Sequence, residues 1–266
     1  MASRELAAAR AVVTGASSGI GRELALVLSR CGVHLQLVAR RADLLDSLAR
    51  QCRGNGVEAG VCVGDVADPL FRKELIAAVE ACWGAIDVLV NHAGTSSHGR
   101  VADSDEATLR QVMEVNFFAA TELTRGLLPL LEKGRQPAVV NVGSILGHRG
   151  APFNAEYCAS KFALRGWSEA LRAELVPRGI DVLLVSPGTT KTEFFSHLVA
   201  KRMELPWKAA AGIEPAAVAE QTVAALRRSR REIFPNWRGR ALVIANRLAP
   251  GLVDRLMVRL GRRGGP

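Results

Sequence analysis

The chain has 266 residues, 48% apolar and 23% charged, which places it among soluble globular proteins long enough to bury a large core. No run of about 18 apolar residues occurs, and Met1 to Leu6 lacks a secretory apolar stretch, so the expectation is a cytoplasmic chain without a spanning helix. The net charge of +9 resides in Arg227 to Pro266, where eleven arginines face only Glu232 and Asp254.

The first element is a short buried strand, Ala11–Thr14, which runs into Gly15-Ala16-Ser17-Ser18-Gly19-Ile20-Gly21 and then into a helix carrying Leu24, Leu26, Val27 and Leu28. Gly15 permits a tight turn, Gly19 lets backbone approach a pyrophosphate, and Gly21 allows close packing of helix on strand. The helix N-terminus offers unpaired N–H groups to phosphate. A second strand, Val33–Ala39, ends at Arg40-Arg41, and a third, Val57–Val63, precedes Asp65-Val66. Leu75, Val79 and Cys82 recur at helical spacing before a fourth strand, Ile86–Asn91. Leu123, Leu127, Leu130 and Leu131 mark another helix. The fifth strand, Ala138–Val142, leads to Ser144, and Tyr157 and Lys161 then lie four apart, on one face of a helix. A fixed ammonium is what a phenol of ordinary pKa near ~10 needs to exchange protons near neutrality. Strands Asp181–Ser186 and Glu232–Phe234 complete the set.

Strands alternating with helices imply a doubly wound, Rossmann-like α/β fold: a mainly parallel seven-stranded sheet with helices on both faces. Residues 1–235 are expected to form a single domain. The five cysteines are scattered without a C-x-x-C pair and read as small buried hydrophobes in a reducing compartment, not as metal ligands. Cys158 is read as packing, not as a nucleophile.

In order and spacing these motifs resemble the short-chain dehydrogenase/reductase family in its compact form, over roughly Ala11 to Pro235. The resemblance implies a nicotinamide cofactor held by Gly15, Ser17, Ser18, Gly19, Ile20 and Gly21, with Asp65 and Val66 at the adenine. Asn91, Ala93 and Gly94 match the family's N-N-A-G segment, with His92 departing from it. Pro187, Gly188, Thr190 and Thr192 match the P-G-x-x-x-T segment beside the nicotinamide. It further implies Tyr157 as general acid/base, Ser144 on the substrate oxygen, and Lys161 lowering the tyrosine pKa while binding the ribose. Asn116 would hold a water leading to solvent. The second strand ends without an acid, and an arginine fork suits a 2′-phosphate, so NADP(H) is expected over NAD(H), through Arg40 mainly and Arg41 secondarily. Ser18 stands where many NADP-using relatives have a second basic residue.

The expected reaction interconverts a hydrophobic ketone or aldehyde and its alcohol. A lid at about 189–212, with Phe194, Phe195, Leu198, Val199, Met203, Leu205 and Trp207, would form one apolar wall; Ile145, Leu146 and Phe153 would form another. The alternative is a noncatalytic NADP-binding or scaffold protein of the same fold. Relatives imply a homodimer or homotetramer, with apolar surface from Leu123, Leu127, Leu131, Leu164, Leu171 and Leu175. Residues 236–266 read as a basic amphipathic extension, two short helices broken at Pro250-Gly251. They would lie on an anionic membrane or pack on protein. Nucleic acid is not expected, because base-stacking aromatics are not interleaved with the arginines.

Overall fold

Near-continuous apolar segments form the strands of the computed structural model, which describes residues 3–196, 198–203 and 212–263. In chain order these are β1 (Arg10–Thr14), β2 (His34–Ala39), β3 (Ala59–Val63), β4 (Val88–Asn91), β5 (Ser97–His98), β6 (Ala138–Val142), β7 (Asp181–Val185), β8 (Ala200–Lys201) and β9 (Glu232–Ile233). Seven of them make one sheet in the order β3-β2-β1-β4-β6-β7-β9. Every pair in it is parallel. β5 and β8 pair separately, in parallel. Val33, Val57 and Ile86, expected within strands, instead lie buried just before β2, β3 and β4.

The helices are α1 (Gly19–Arg30), α2 (Ala42–Arg53), α3 (Pro69–Trp83), α4 (Glu106–Met113), α5 (Ala119–Glu132), α6 (Ala155–Leu175), α7 (Pro215–Arg227), α8 (Trp237–Leu248) and α9 (Pro250–Arg263). Alternating strand residues feed two cores. Val13, Val140 and Leu183 pack with Leu24 and Leu28 of α1, Leu45 and Leu48 of α2, and Val218 and Val223 of α7. Their neighbours Val12, Val139 and Val182 pack on the other face with Leu75 and Val79 of α3, Leu123, Leu127 and Leu131 of α5, and Leu175 of α6. That packing corrects one expectation. Leu123, Leu127, Leu131, Leu164 and Leu175 are buried within the chain and Leu171 packs partly against the core, because burying a leucine stabilises by about 1.5–3 kcal/mol. Phe118, just before α5, and Phe162 on α6 remain exposed.

β1 and β4 are adjacent where the strand order reverses. A crevice at the carboxyl ends of such strands is where doubly wound sheets bind ligands. The loops after β1, β3, β4, β6 and β7 converge there.

Candidate active site

The loop after β1 is built so that backbone is the binding surface. Gly15 and Gly19 have φ of 66° and 55°, the left-handed region that favours glycine. A Cβ on Gly21 would lie 2.4 Å from the Gly15 carbonyl oxygen, so α1 can pack this close only with glycine there. Ser18 caps α1 without a side-chain hydrogen bond, and the first turn holds no acid. The helix therefore directs its free amides and partial positive charge at the crevice. Thr14 stitches two loops together: its hydroxyl donates to the Val90 carbonyl and accepts from the amides of His92 and Ala93.

The crevice is a cleft of about 1150 Å³. Gly15, Ser17, Ser18, Gly19, Ile20, Arg40, Asp65, Val66, Ala93, Gly94, Ser144, Tyr157, Lys161, Pro187, Gly188, Thr190 and Thr192 all line it. Three expected residues stand behind the lining. Gly21 serves the packing just described. Asn91 donates to Thr124 and to Asn141, each at 2.9 Å, within a buried polar chain that runs on to Ser168. Asn116 accepts from the Thr95 amide at 2.7 Å and donates to the Thr95 carbonyl and to Ser160. It projects from a π-helical turn, Glu114–Phe118, between α4 and α5, a distortion that recurs at functional sites.

Tyr157, the only tyrosine of the chain, and Lys161 project from the first turns of α6. Burial pushes the Tyr157 pKa up to about 12, while hydrogen bonding to Ser144 pulls the other way. Burial also pushes Lys161 down to about 8. The ammonium lies 5.7 Å from the centre of the tyrosine ring and donates to the Val142 carbonyl at 2.9 Å. A lysine-depressed tyrosine pKa was expected; in the protein alone burial raises it instead, and Lys161 is not among the groups that shift it. The Tyr157 ring meets Phe194 edge-on, with centroids 5.7 Å apart.

His92 departs from the pattern in identity but fits in geometry. Its Nδ1 faces the Gly15 carbonyl at 3.2 Å, and a carbonyl can only accept, so Nδ1 carries the hydrogen. Burial and the nearby Lys161 charge push its pKa down to about 4, so the ring is neutral near pH 7.

The two arginines after β2 differ in setting. Arg40 is largely exposed and 3.7 Å from Asp65. Arg41 donates from two nitrogens to the Ser17 hydroxyl and lies 3.3 Å from the Glu193 carboxylate. The residue expected to be secondary is thus the one fastened to the glycine loop.

The far wall also departs from expectation. Phe194, Ile145 and Leu146 line the cleft, whereas Phe153, Leu198, Val199 and Met203 do not. Leu205, Trp207 and the side chain of Phe195 fall outside the described residues. Leu242 of α8 and Met257 and Leu260 of α9 line it instead. The helical periodicity of the tail was visible in the sequence, but nothing local showed that its inner face would reach a cleft.

A glycine-built turn after β1, followed by Ser144 after β6 and by Tyr157 and Lys161 on α6, agrees with the match of residues 9–203 to the family model for short chain dehydrogenases. The chain belongs to the short-chain dehydrogenase/reductase family. Members of this family are oxidoreductases. The chain is 35% identical over 263 residues to the dehydrogenase/reductase SDR family member 7B of Bos taurus, covering 95% of this chain and 81% of that protein. An alcohol dehydrogenase of Thermococcus sibiricus, solved with 5-hydroxy-NADP, is 25% identical with a TM-score of 0.76, over 85% of this chain and 95% of that one. A short chain dehydrogenase/reductase from Burkholderia phymatum, solved with NAD, shares the fold at 23% identity and a TM-score of 0.84, over 94% of this chain and 96% of that one.

Proposed function

We propose that this oxidoreductase reduces a hydrophobic ketone or aldehyde to its alcohol, with NADPH preferred over NADH and Tyr157 as general acid. The observation that carries this reading is the placement of Tyr157, with Ser144 beside it and Lys161 behind it, in a cleft that also carries an apolar stretch of Ile145, Leu146, Phe194, Leu242, Met257 and Leu260. A reduced nicotinamide cofactor supplies the hydride. The free amides of α1, the glycine turn, and Asp65 and Val66 suit its dinucleotide portion, and Pro187 to Thr192 suit the nicotinamide end. Ser144 donates a hydrogen bond to the substrate carbonyl oxygen. Tyr157 gives that oxygen its proton as negative charge develops there, and the Lys161 ammonium stabilises the phenolate left behind. Asn116, tied to Thr95 and Ser160, helps to order the path by which a proton returns from solvent.

The NADP(H) preference rests on Arg40 and Arg41, since guanidinium groups bind phosphate through charge-assisted bonds and no acid stands at the end of β2. Consumption of NADPH, followed by absorbance over a series of aromatic and aliphatic ketones, tests the reading. No turnover of any carbonyl or alcohol would favour the noncatalytic alternative.

Two associations complete the proposal. A second copy of the chain covers Phe118 and Phe162, which are 45% and 43% exposed; sedimentation equilibrium at micromolar concentration should give a multiple of 28.5 kDa. The enzyme is cytoplasmic and meets anionic membrane through α8 and α9. Among the described residues no helix is long and apolar enough to cross a membrane. The outer face of the pair nevertheless exposes Leu248, Leu252 and Leu256 beside Arg247, Arg255 and Arg259, a pattern suited to the surface of a bilayer. Vesicles rich in phosphatidylserine should sediment the protein at low salt, and Leu252→Glu with Leu256→Glu should release it. Equal sedimentation of wild type and double variant would reject the attachment.

A further inference from the structure

We infer that the C-terminal helix pair is the specificity wall of the substrate site, held in place by Arg149, and that it selects carbonyl compounds with an extended apolar portion. This rests on the carbonyl-reductase reading of the same cleft and adds to it which part of the chain measures the substrate.

α8 begins directly on the reacting end of the cleft. A Cβ at Gly239 would lie 2.7 Å from Ile145 Cγ2, and a Cβ at Gly188 would lie 3.3 Å from Asn236, the residue that caps α8. The helix is thus packed against both the turn that follows Ser144 and the loop that follows β7. Val243 and Val253 are buried at 3% and 4% exposure, so each helix of the pair has an apolar anchor. Polar bonds then fix the pair to the segment between Ser144 and Tyr157. Asn246 donates to the His148 carbonyl. Arg149 donates to Asn246 at 3.1 Å and to Asp254 at 2.6 Å, so one guanidinium joins both helices. The Arg149 side chain is 18% exposed and that of Asp254 61%, so the bond lies at the surface and serves geometry more than stability.

Val253, Met257 and Leu260 follow i, i+4, i+7 spacing and so share one face of α9. Met257 and Leu260 turn that face to the cleft, where Leu242 of α8 joins them. Ile145, Leu146 and Phe194 complete an apolar enclosure in which Tyr157 is the proton donor. A small ketone needs only the reacting end. A long acyl chain or fused ring system would extend along Leu242, Met257 and Leu260, and each further buried methylene favours it. Arg149 and Asp254 are positioning residues: they act through the place they give the helices.

The full-length protein, with methyl ketones from 2-butanone to 2-tridecanone, provides the test. In the wild type kcat/KM should rise with chain length. Met257→Trp fills the wall and should lower the ratio of kcat/KM for 2-tridecanone over 2-butanone by at least about tenfold, within the discrimination hydrophobic pockets achieve. Asp254→Ala should raise KM for 2-tridecanone about fivefold while leaving kcat near its wild-type value, and Asp254→Glu should restore most of the loss. A chain-length profile unchanged by Met257→Trp, or lowered equally for every ketone, would overturn the assignment. Displacement of N-phenyl-1-naphthylamine by 2-tridecanone separates this failure from failure of the enzyme reading. If wild-type protein reduces no ketone but Met257→Trp weakens that displacement severalfold, the wall stands and the reaction is wrong. If the displacement is also unchanged, the wall is rejected.

Discussion

The two ends of the cleft are made in different ways. The dinucleotide end consists of backbone: glycine turns, helix amides and the Thr14 hydroxyl that joins the loops after β1 and β4. The end proposed for the substrate consists of side chains from the Ser144–Tyr157 segment, the Phe194 loop and the helices α8 and α9. A backbone-built site needs particular residues at particular spacings, so it leaves a short local motif. A side-chain wall needs only apolar bulk brought together by folding, and any of many sequences can supply it. Within one cleft, one end can be read from local motifs and the other only from the fold.

The largest expected effect falls at the junction of the two ends. Tyr157→Phe should keep the fold and dinucleotide binding and lower turnover at least ~100-fold, the lower range for removal of a general acid. Calorimetric binding of NADPH beside steady-state rates checks it, and near-normal turnover would remove Tyr157 from its role. Gly21→Val is the corresponding strike at the backbone end. The forced contact with the Gly15 carbonyl should cost about 1–3 kcal/mol or more and reduce affinity for every dinucleotide, without altering the preference among ketones. A changed ketone preference with unchanged dinucleotide affinity would invert the comparison. Arg40→Asp should be narrower, weakening NADPH about tenfold and NADH little, because only a 2′-phosphate meets the new negative charge. Arg41→Ser measures the share of the arginine fastened to Ser17. If Arg41→Ser has the larger effect, contact with the glycine loop and not exposure decides which guanidinium serves the phosphate.

Titration yields the smallest and most selective effects. Because Tyr157 is the only tyrosine, the near-ultraviolet phenolate signal of the folded protein reports that residue alone. It should remain absent until the pH approaches about 12; a phenolate emerging near pH 8 would mean that Lys161 dominates after all. Carbonyl reduction should decline severalfold as pH rises through about 8, where Lys161 loses the charge that stabilises the developing phenolate. Stability runs the other way. A lysine depressed by burial binds fewer protons folded than unfolded between about 8 and its ordinary pKa, so folding should gain from rising pH across that window.

Much of the fold was legible because apolar runs such as Val182 to Val185 can be satisfied only by burial on both faces of a parallel sheet. The strand-end residues were legible because each stands just after such a run. Less visible was how shared surface is divided. The leucines of α5 and α6 had the periodicity of an interface, yet Leu123, Leu127 and Leu131 are consumed by the core, since helical spacing reports an apolar face and not its partner. Asn91 and Asn116 matched motif positions, but the sequence did not reveal that one belongs to a buried polar chain and the other to a π turn. Leu242, Met257 and Leu260 lie roughly 100 residues from Ser144 in sequence, and no pattern along the chain encodes that proximity.

The π turn at Glu114–Phe118 can also be regarded as one surplus residue stored in a helix. An α-helix advances its side chains by about 100° per residue. Deleting a single position within the turn would restore regular winding and leave the helical segments on either side nearly in phase, because an i→i+5 turn takes one more residue to close than an i→i+4 turn. Leu123 and Leu127 would then stay in the core, and the loss would fall on Asn116, which the wide turn sets between Thr95 and Ser160. The irregular turn therefore places one side chain without disturbing the helices around it, and a single deletion within it should spare the fold while costing the position of Asn116.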